Sequence, residues 1–192
     1  MMVFQKENLV FFAIPKTGTT ALEEALAHRA SIIIRDPPGV KHMTPATYNR
    51  VIRPLIGQSH EMMAVIRHPL DWHGSHYRYR TRAAVRGTER STAGMSFAEF
   101  IRSVLPPEGE EPTGSQSKFL TLPNGRMPVQ HLFRYEAQEV ILGFLTERFR
   151  SLIEPPRLNV SPSRPLDLPE DLRAAHERAY ARCYALWEGA QH

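Results

Sequence analysis

Cysteine is almost absent. Cys183 stands alone, so neither an internal disulfide nor a cysteine-based zinc site can form. Lysine is scarce too, only Lys6, Lys16, Lys41 and Lys118, so the basic side of a chain with 24 Lys plus Arg against 20 Asp plus Glu is almost entirely arginine. Guanidinium groups match phosphate and sulfate oxygens in a forked geometry, which suits an anionic ligand, although a solvated basic face accounts for the excess nearly as well. No apolar run is long enough to span a bilayer. The strongest, Leu9 to Ile14, stops at a turn and carries no basic n-region or small-residue cleavage site. The expectation is a cytoplasmic protein with no membrane span and no secretory signal. Internal repeats and low-complexity tracts are also lacking. A length of 192 residues with 42% hydrophobic content suits one well-buried core, so residues 1–192 are read as a single domain.

What is present alternates between strands and helices. Leu9 to Ile14 reads as a strand buried on both faces, because such strands are continuous apolar runs. Pro15-Lys16-Thr17-Gly18 is a turn, and Ala21, Leu22, Ala25 and Leu26 mark an apolar helical stripe capped by Thr19 or Thr20. Ser31 to Arg35 and Met62 to Ile66 are further strands, with a helix from Pro45 to about Ile56 between them. Helices are expected from about Asp71 to Ala84, Ser96 to Leu105, Glu136 to Phe149 and Pro169 to Trp187. Asn124-Gly125 suggests a hairpin between Phe119-Leu120 and Val129 to Phe133. The order predicts an α/β fold with a short parallel sheet and ligands at the carboxyl ends of its strands.

Two segments at such strand ends carry chemistry. Pro15-Lys16-Thr17-Gly18-Thr19-Thr20 follows a buried strand and opens a helix, so its amides converge at the positive end of a helix dipole. Gly18 permits close backbone approach, the threonines add donors and Lys16 adds a full charge. The phosphate loop of ATP- and GTP-using enzymes, Gly-x-x-x-x-Gly-Lys-Ser/Thr, is missing: here the lysine precedes the glycine. The second segment, Arg67-His68-Pro69-Leu70-Asp71-Trp72-His73-Gly74-Ser75, ends a strand and starts a helix, so that Arg67 and Ser75 can grip one phosphate from two sides.

In these two segments, in this order, the chain resembles the sulfotransferase superfamily, and within it the bacterial and carbohydrate-type members. The resemblance implies a three-layer sandwich related to P-loop kinases and the donor 3′-phosphoadenosine 5′-phosphosulfate. It assigns Pro15, Lys16, Thr17, Gly18, Thr19 and Thr20 to the 5′-phosphosulfate, and Arg67 and Ser75 to the 3′-phosphate. Ser163 and Arg164, in a segment that returns to the nucleotide side in carbohydrate-type members, are further donor contacts by the same likeness. Phe133-Arg134-Tyr135-Glu136 resembles a late strand of the family and is read as structural. Coverage extends over most of the chain, but specific motifs occupy only its first seventy-five residues.

Transfer to a hydroxyl needs a proton acceptor. The family likeness points to His42, in Val40-Lys41-His42-Met43 after the second strand, with Glu23 or Glu24 as the alternative; Lys16 is the second catalytic candidate, stabilising charge on the leaving phosphate. No metal is expected. The stretch from His73 through Arg86 interleaves basic and aromatic residues, and three roles stay open: a solvated face, an acceptor grip, or nucleic-acid binding, the last disfavoured. A saccharide is the leading acceptor. The rival functions are a nucleotide or small-molecule kinase and a non-catalytic anion-binding module.

Overall fold

The structure, a computed structural model, describes residues 1–156 and 164–192. Five strands, β1 (Met2–Phe4), β2 (Leu9–Phe12), β3 (Ile32–Ile33), β4 (Glu61–Ile66) and β5 (His131–Arg134), form one sheet in the order β3-β1-β2-β4-β5. The helices are α1 (Thr19–Leu26), α2 (Pro38–Lys41), α3 (Pro45–Val51), α4 (Arg53–Ile56), α5 (Pro69–Tyr79), α6 (Phe97–Val104), α7 (Gln116–Leu120), α8 (Gln138–Phe149), α9 (Glu170–Ala179) and α10 (Ala181–Glu188). None of the helices among the described residues is long and apolar enough to cross a membrane.

The α/β class holds, but the sheet is mixed where a parallel one was expected. β2, β4 and β5 run parallel, with Phe11 opposite Met63 and Val65 opposite Phe133. The short strand β1 is antiparallel to both β2 and β3. It comes from a tight reversal at Gln5–Asn8, where Asn8 takes φ 51° and its amide donates to the Gln5 carbonyl at 3.3 Å. Asparagine tolerates that left-handed geometry better than most residues.

Side chains alternate across each strand, so the apolar runs feed two cores. Val10, Phe12, Met62, Ala64 and Ile66 pack on one face with Tyr48 of α3, Leu120 of α7 and Leu186 of α10. Leu9, Phe11, Met63, Val65 and Phe133 pack on the other with Leu22 and Leu26 of α1 and with Ile141, Leu145 and Phe149 of α8. Each large side chain fully withdrawn from water contributes about 1.5–3 kcal/mol, which is why a four-residue strand such as β2 can be held by its side chains as firmly as by its ladder. A third cluster, around Leu70, Tyr77, Phe100 and Leu172, joins α5, α6 and α9 away from the sheet.

Local chemistry accounts for the helix ends. Thr44 accepts from the Thr47 amide at 3.2 Å ahead of Pro45, and Ser96 forms a reciprocal capping box with Glu99. Several expected elements come out differently: the helix read from Pro45 to Ile56 is the two helices α3 and α4. Asn124-Gly125 does turn the chain, with Gly125 at φ 81°, but Phe119 and Leu120 lie in α7, so no strand pair flanks it. The long C-terminal helix is two, separated at Tyr180, whose φ of −106° and ψ of 21° leave the helical region.

Candidate functional site

β2, β4 and β5 all deliver their carboxyl ends to one side, and the chain after each supplies part of a single cleft. β2 runs into Pro15-Lys16, β4 into Arg67, and β5 into Tyr135, and all four residues line a cleft of about 1650 Å³ together with Gly18, Thr19, Thr20, Ser75 and His42. The two halves of the expected anion site therefore meet, although they lie some fifty residues apart in the chain.

The loop before α1 is wound tightly. Lys16 and Gly18 both have positive φ, 68° and 73°. Thr17 is buried, and its hydroxyl donates to the Ile14 carbonyl at 2.9 Å, so this threonine shapes the loop and is not an open donor. The indole Nε1 of Trp72 donates to the Pro15 carbonyl at 2.7 Å, tying the loop to α5. Gly18, and not Thr19 or Thr20, is the cap of α1, and no side chain caps that end; the Ala21 amide donates to the Gly18 carbonyl at 3.1 Å, which leaves the Thr19 and Thr20 amides open to a ligand. A Cβ on Gly18 would stand 2.8 Å from Cε2 of Tyr135.

Arg67 is fixed by a buried glutamine. Its amide donates to Gln116 Oε1 at 3.0 Å, and Gln116 Nε2 donates to its carbonyl at 2.8 Å. Its guanidinium lies 4.6 Å from the centre of the Tyr135 ring, reaches the Lys16 carbonyl at 3.5 Å, and keeps a buried Nε with no partner among the described residues. Lys16 Nζ sits 3.8 Å above the ring of Tyr79. Neither Lys16 nor Arg67 has a carboxylate within 4.0 Å among the described residues. Lys16 is partly buried as well as close to other cations. Burial, then the charges of Arg82 and Arg67, lower its pKa to about 8.

That value carries a testable consequence. An anion bound at the loop raises the Lys16 pKa, so affinity is full below pH 8 and falls as pH rises past it, by up to about tenfold per pH unit until the raised pKa is reached. Calorimetry with 3′,5′-adenosine bisphosphate between pH 7 and pH 9.5 should show this decline, and Lys16→Met should flatten it. A flat wild-type profile would remove Lys16 from the anion site.

Three imidazoles behave differently. His42 Nδ1 lies 2.6 Å from the Ala13 carbonyl; a carbonyl only accepts, so Nδ1 carries the proton and Nε2 is the basic nitrogen of a ring lining the cleft. Burial lowers its pKa below the usual histidine value, which keeps it neutral and basic at neutral pH. His76, also on the cleft wall, is pushed down to about 3 by burial and then by Lys16, Arg80 and Arg67, and its Nε2 has no partner among the described residues. His73 is instead locked in the protein, with Nδ1 3.1 Å from the Pro69 carbonyl and 3.0 Å from His176 Nε2.

The alternative bases lie outside the cleft wall. Glu23 is buried and takes Lys41 Nζ at 2.7 Å and the Met1 amine at 3.7 Å, while Glu24 pairs with Arg35 at 3.6 Å. Arg164 is set back from the cleft as well. Its carbonyl accepts two bonds from the Arg78 guanidinium, at 3.2 and 3.0 Å, and its own guanidinium covers the Tyr77 ring. Ser163 lies outside the described residues. Glu136 accepts from the His68 amide and from Trp187 Nε1, both at 3.0 Å, in keeping with the structural reading of its segment. Among the described residues no group of three or more His, Cys, Asp or Glu side chains is gathered to hold a metal ion.

Gln116 and Tyr135 have no place in the sequence-derived site, and His76 enters it only within the stretch from His73 through Arg86 that is open as an acceptor grip. Tyr135 is one residue beyond the Arg134 of a segment already singled out, and His76 directly follows Ser75; Gln116 sends no local signal at all. Comparison with models of known protein families, with curated proteins and with solved structures finds no match.

Proposed function

We propose that this chain is a sulfotransferase that moves a sulfuryl group from 3′-phosphoadenosine 5′-phosphosulfate to an acceptor hydroxyl, with a saccharide as the leading acceptor, by in-line attack. The observation that carries the reading is the meeting, in one cleft, of the Lys16 loop and the Arg67–Ser75 pair, both without a counter-ion among the described residues. Helices on both faces of the sheet support the related expectation of a three-layer, P-loop-kinase-like sandwich, with β1 as an antiparallel insertion between β2 and β3.

The residues present fit the donor. A buried Arg67 Nε with no partner among the described residues suits a phosphate oxygen, and the start of α1, which no side chain caps, suits a second anion. The donor, when bound, supplies a sulfuryl group whose departure leaves negative charge on phosphate. Lys16 and the α1 amides are arranged to hold such charge, Arg67 and Ser75 to fix the far end of the nucleotide, and His42 Nε2 to take the acceptor's proton.

The test is calorimetry with 3′,5′-adenosine bisphosphate beside 5′-AMP and ATP. The bisphosphate is expected to bind at least ~30-fold more tightly than 5′-AMP, since charge-assisted hydrogen bonds contribute about 1.5–3 kcal/mol each. Arg67→Ala should erase most of that preference. Equal affinity of the wild-type protein for the two nucleotides would remove the donor assignment, and preferred binding of ATP would favour the kinase.

A further inference from the structure

Resting on that donor reading, we propose that the acceptor is itself an anion: a hydroxyl compound whose carboxylate, sulfate or phosphate is held by Arg80 and Arg90 on the rim of the cleft. Among the described residues, seven lysine and arginine side chains line the cleft against one carboxylate, Glu89. Four of the seven have work elsewhere. Lys16 and Arg67 face the donor, Lys41 is bound to Glu23 at 2.7 Å, and Arg78 donates to the Arg164 carbonyl. Arg80 and Arg90 have no carboxylate within 4.0 Å among the described residues.

The chain brings these two together on purpose of its own folding. After α5 it loops out and returns, and the return is pinned where the Thr92 amide donates to the Arg80 carbonyl at 3.3 Å and the Thr92 hydroxyl to the Tyr77 carbonyl at 2.8 Å. Arg80 is partly buried over the Phe100 ring, and burial together with the nearby Arg90 charge lowers its pKa. Guanidiniums held close without an anion destabilise the empty protein, and an anionic ligand relieves that cost. Their position fits an acceptor. Tyr79, the residue before Arg80, carries Lys16 Nζ on its ring, and Arg80 and Arg90 line the same cleft as Lys16. The cleft, about 1650 Å³, also exceeds the ~300–1,000 Å³ of a one-ligand pocket.

The experiment uses two pairs of probes that differ in charge: hyaluronan tetrasaccharide with its carboxyl-reduced form, and 4-hydroxybenzoate with 4-hydroxybenzamide. Each is titrated into the full chain holding 3′,5′-adenosine bisphosphate. The charged member of at least one pair should bind about tenfold more tightly than its neutral partner, and the pair that responds tells a saccharide from a phenol. Arg80→Ala/Arg90→Ala should abolish the preference while keeping bisphosphate affinity within about threefold, well under the cost of one charge-assisted bond. Equal binding within both pairs, no binding by any probe, or a preference that survives the double substitution overturns the proposal. So does a tenfold loss of bisphosphate affinity, which would give these arginines to the donor. Should the bisphosphate itself fail to bind, the donor reading falls separately, and the same four titrations on the protein alone still decide the anion preference.

Discussion

His42→Ala is expected to lower single-turnover sulfuryl transfer by about 10²–10⁴, the usual worth of a general base, while leaving the affinity for 3′,5′-adenosine bisphosphate within a few-fold. The division follows from where the ring is anchored. Its Nδ1 is tied at 2.6 Å to the carbonyl of Ala13, at the end of the strand that leads into the Lys16 loop, so Nε2 is held basic close to the loop without belonging to it. Burial holds the pKa below the ordinary histidine value, so kcat/KM should climb with pH on the acidic side, through a pKa lower than that of a free imidazole. The alkaline side should fall as Lys16, with its pKa near 8, loses charge in the free enzyme. In His42→Ala the acidic limb should vanish and the alkaline limb remain. Near-normal turnover would remove His42 as the base. The search would then turn to His76, whose Nε2 on the cleft wall has no partner among the described residues, and not to Glu23, whose carboxylate is already taken by Lys41 and the Met1 amine.

How much of this was legible in the chain differs between its two kinds of contact. β2 and β4 stand out as continuous apolar runs because both faces of the sheet are covered by helices, and the anion loop stands out because its residues are consecutive. β1 was missed for a simple reason: three apolar residues at the start of a chain show no period, and only pairing with Leu9–Phe11 makes them a strand. The helix expected up to Ala84 ends instead at Tyr79, because the chain turns there to begin the closure pinned by Thr92. Phe119-Leu120 looked like half of a hairpin since an Asn-Gly turn follows, but Ser115 caps a helix that claims both residues. In the cleft, motif residues were readable and their supports were not. The Gln116 clasp on Arg67 spans 49 residues and rests on a single amide side chain, and the Tyr135 ring becomes part of the site only because β5 lies next to β4. Local chemistry is written in neighbouring letters; the braces that orient it come from the order of the strands.

Gly18→Ala should reduce the affinity for 3′,5′-adenosine bisphosphate by about 10²-fold, near the upper end of what loss of a whole charge-assisted contact would cost, because one methyl group disturbs both halves of the cleft. At φ 73° an alanine meets a backbone cost of roughly 1–2 kcal/mol, so the loop either keeps its shape at the expense of stability or relaxes and turns its amides away from the ligand. The new Cβ would also stand 2.8 Å from Cε2 of Tyr135, a separation that the ring can escape only by swinging aside. That ring supports the Arg67 guanidinium at 4.6 Å, so its displacement carries the damage from the loop to the second phosphate grip. The two effects can be separated. Adding Tyr135→Leu to Gly18→Ala removes the ring from the path of the methyl while leaving the positive φ in place, and should recover about tenfold of the lost affinity if the collision matters. Calorimetry on the two variants, with thermal unfolding followed in parallel to establish that each is folded, measures both terms. Wild-type affinity in a folded Gly18→Ala protein would mean that the bound nucleotide does not rest on this loop, and the anion site would have to be sought elsewhere in the cleft.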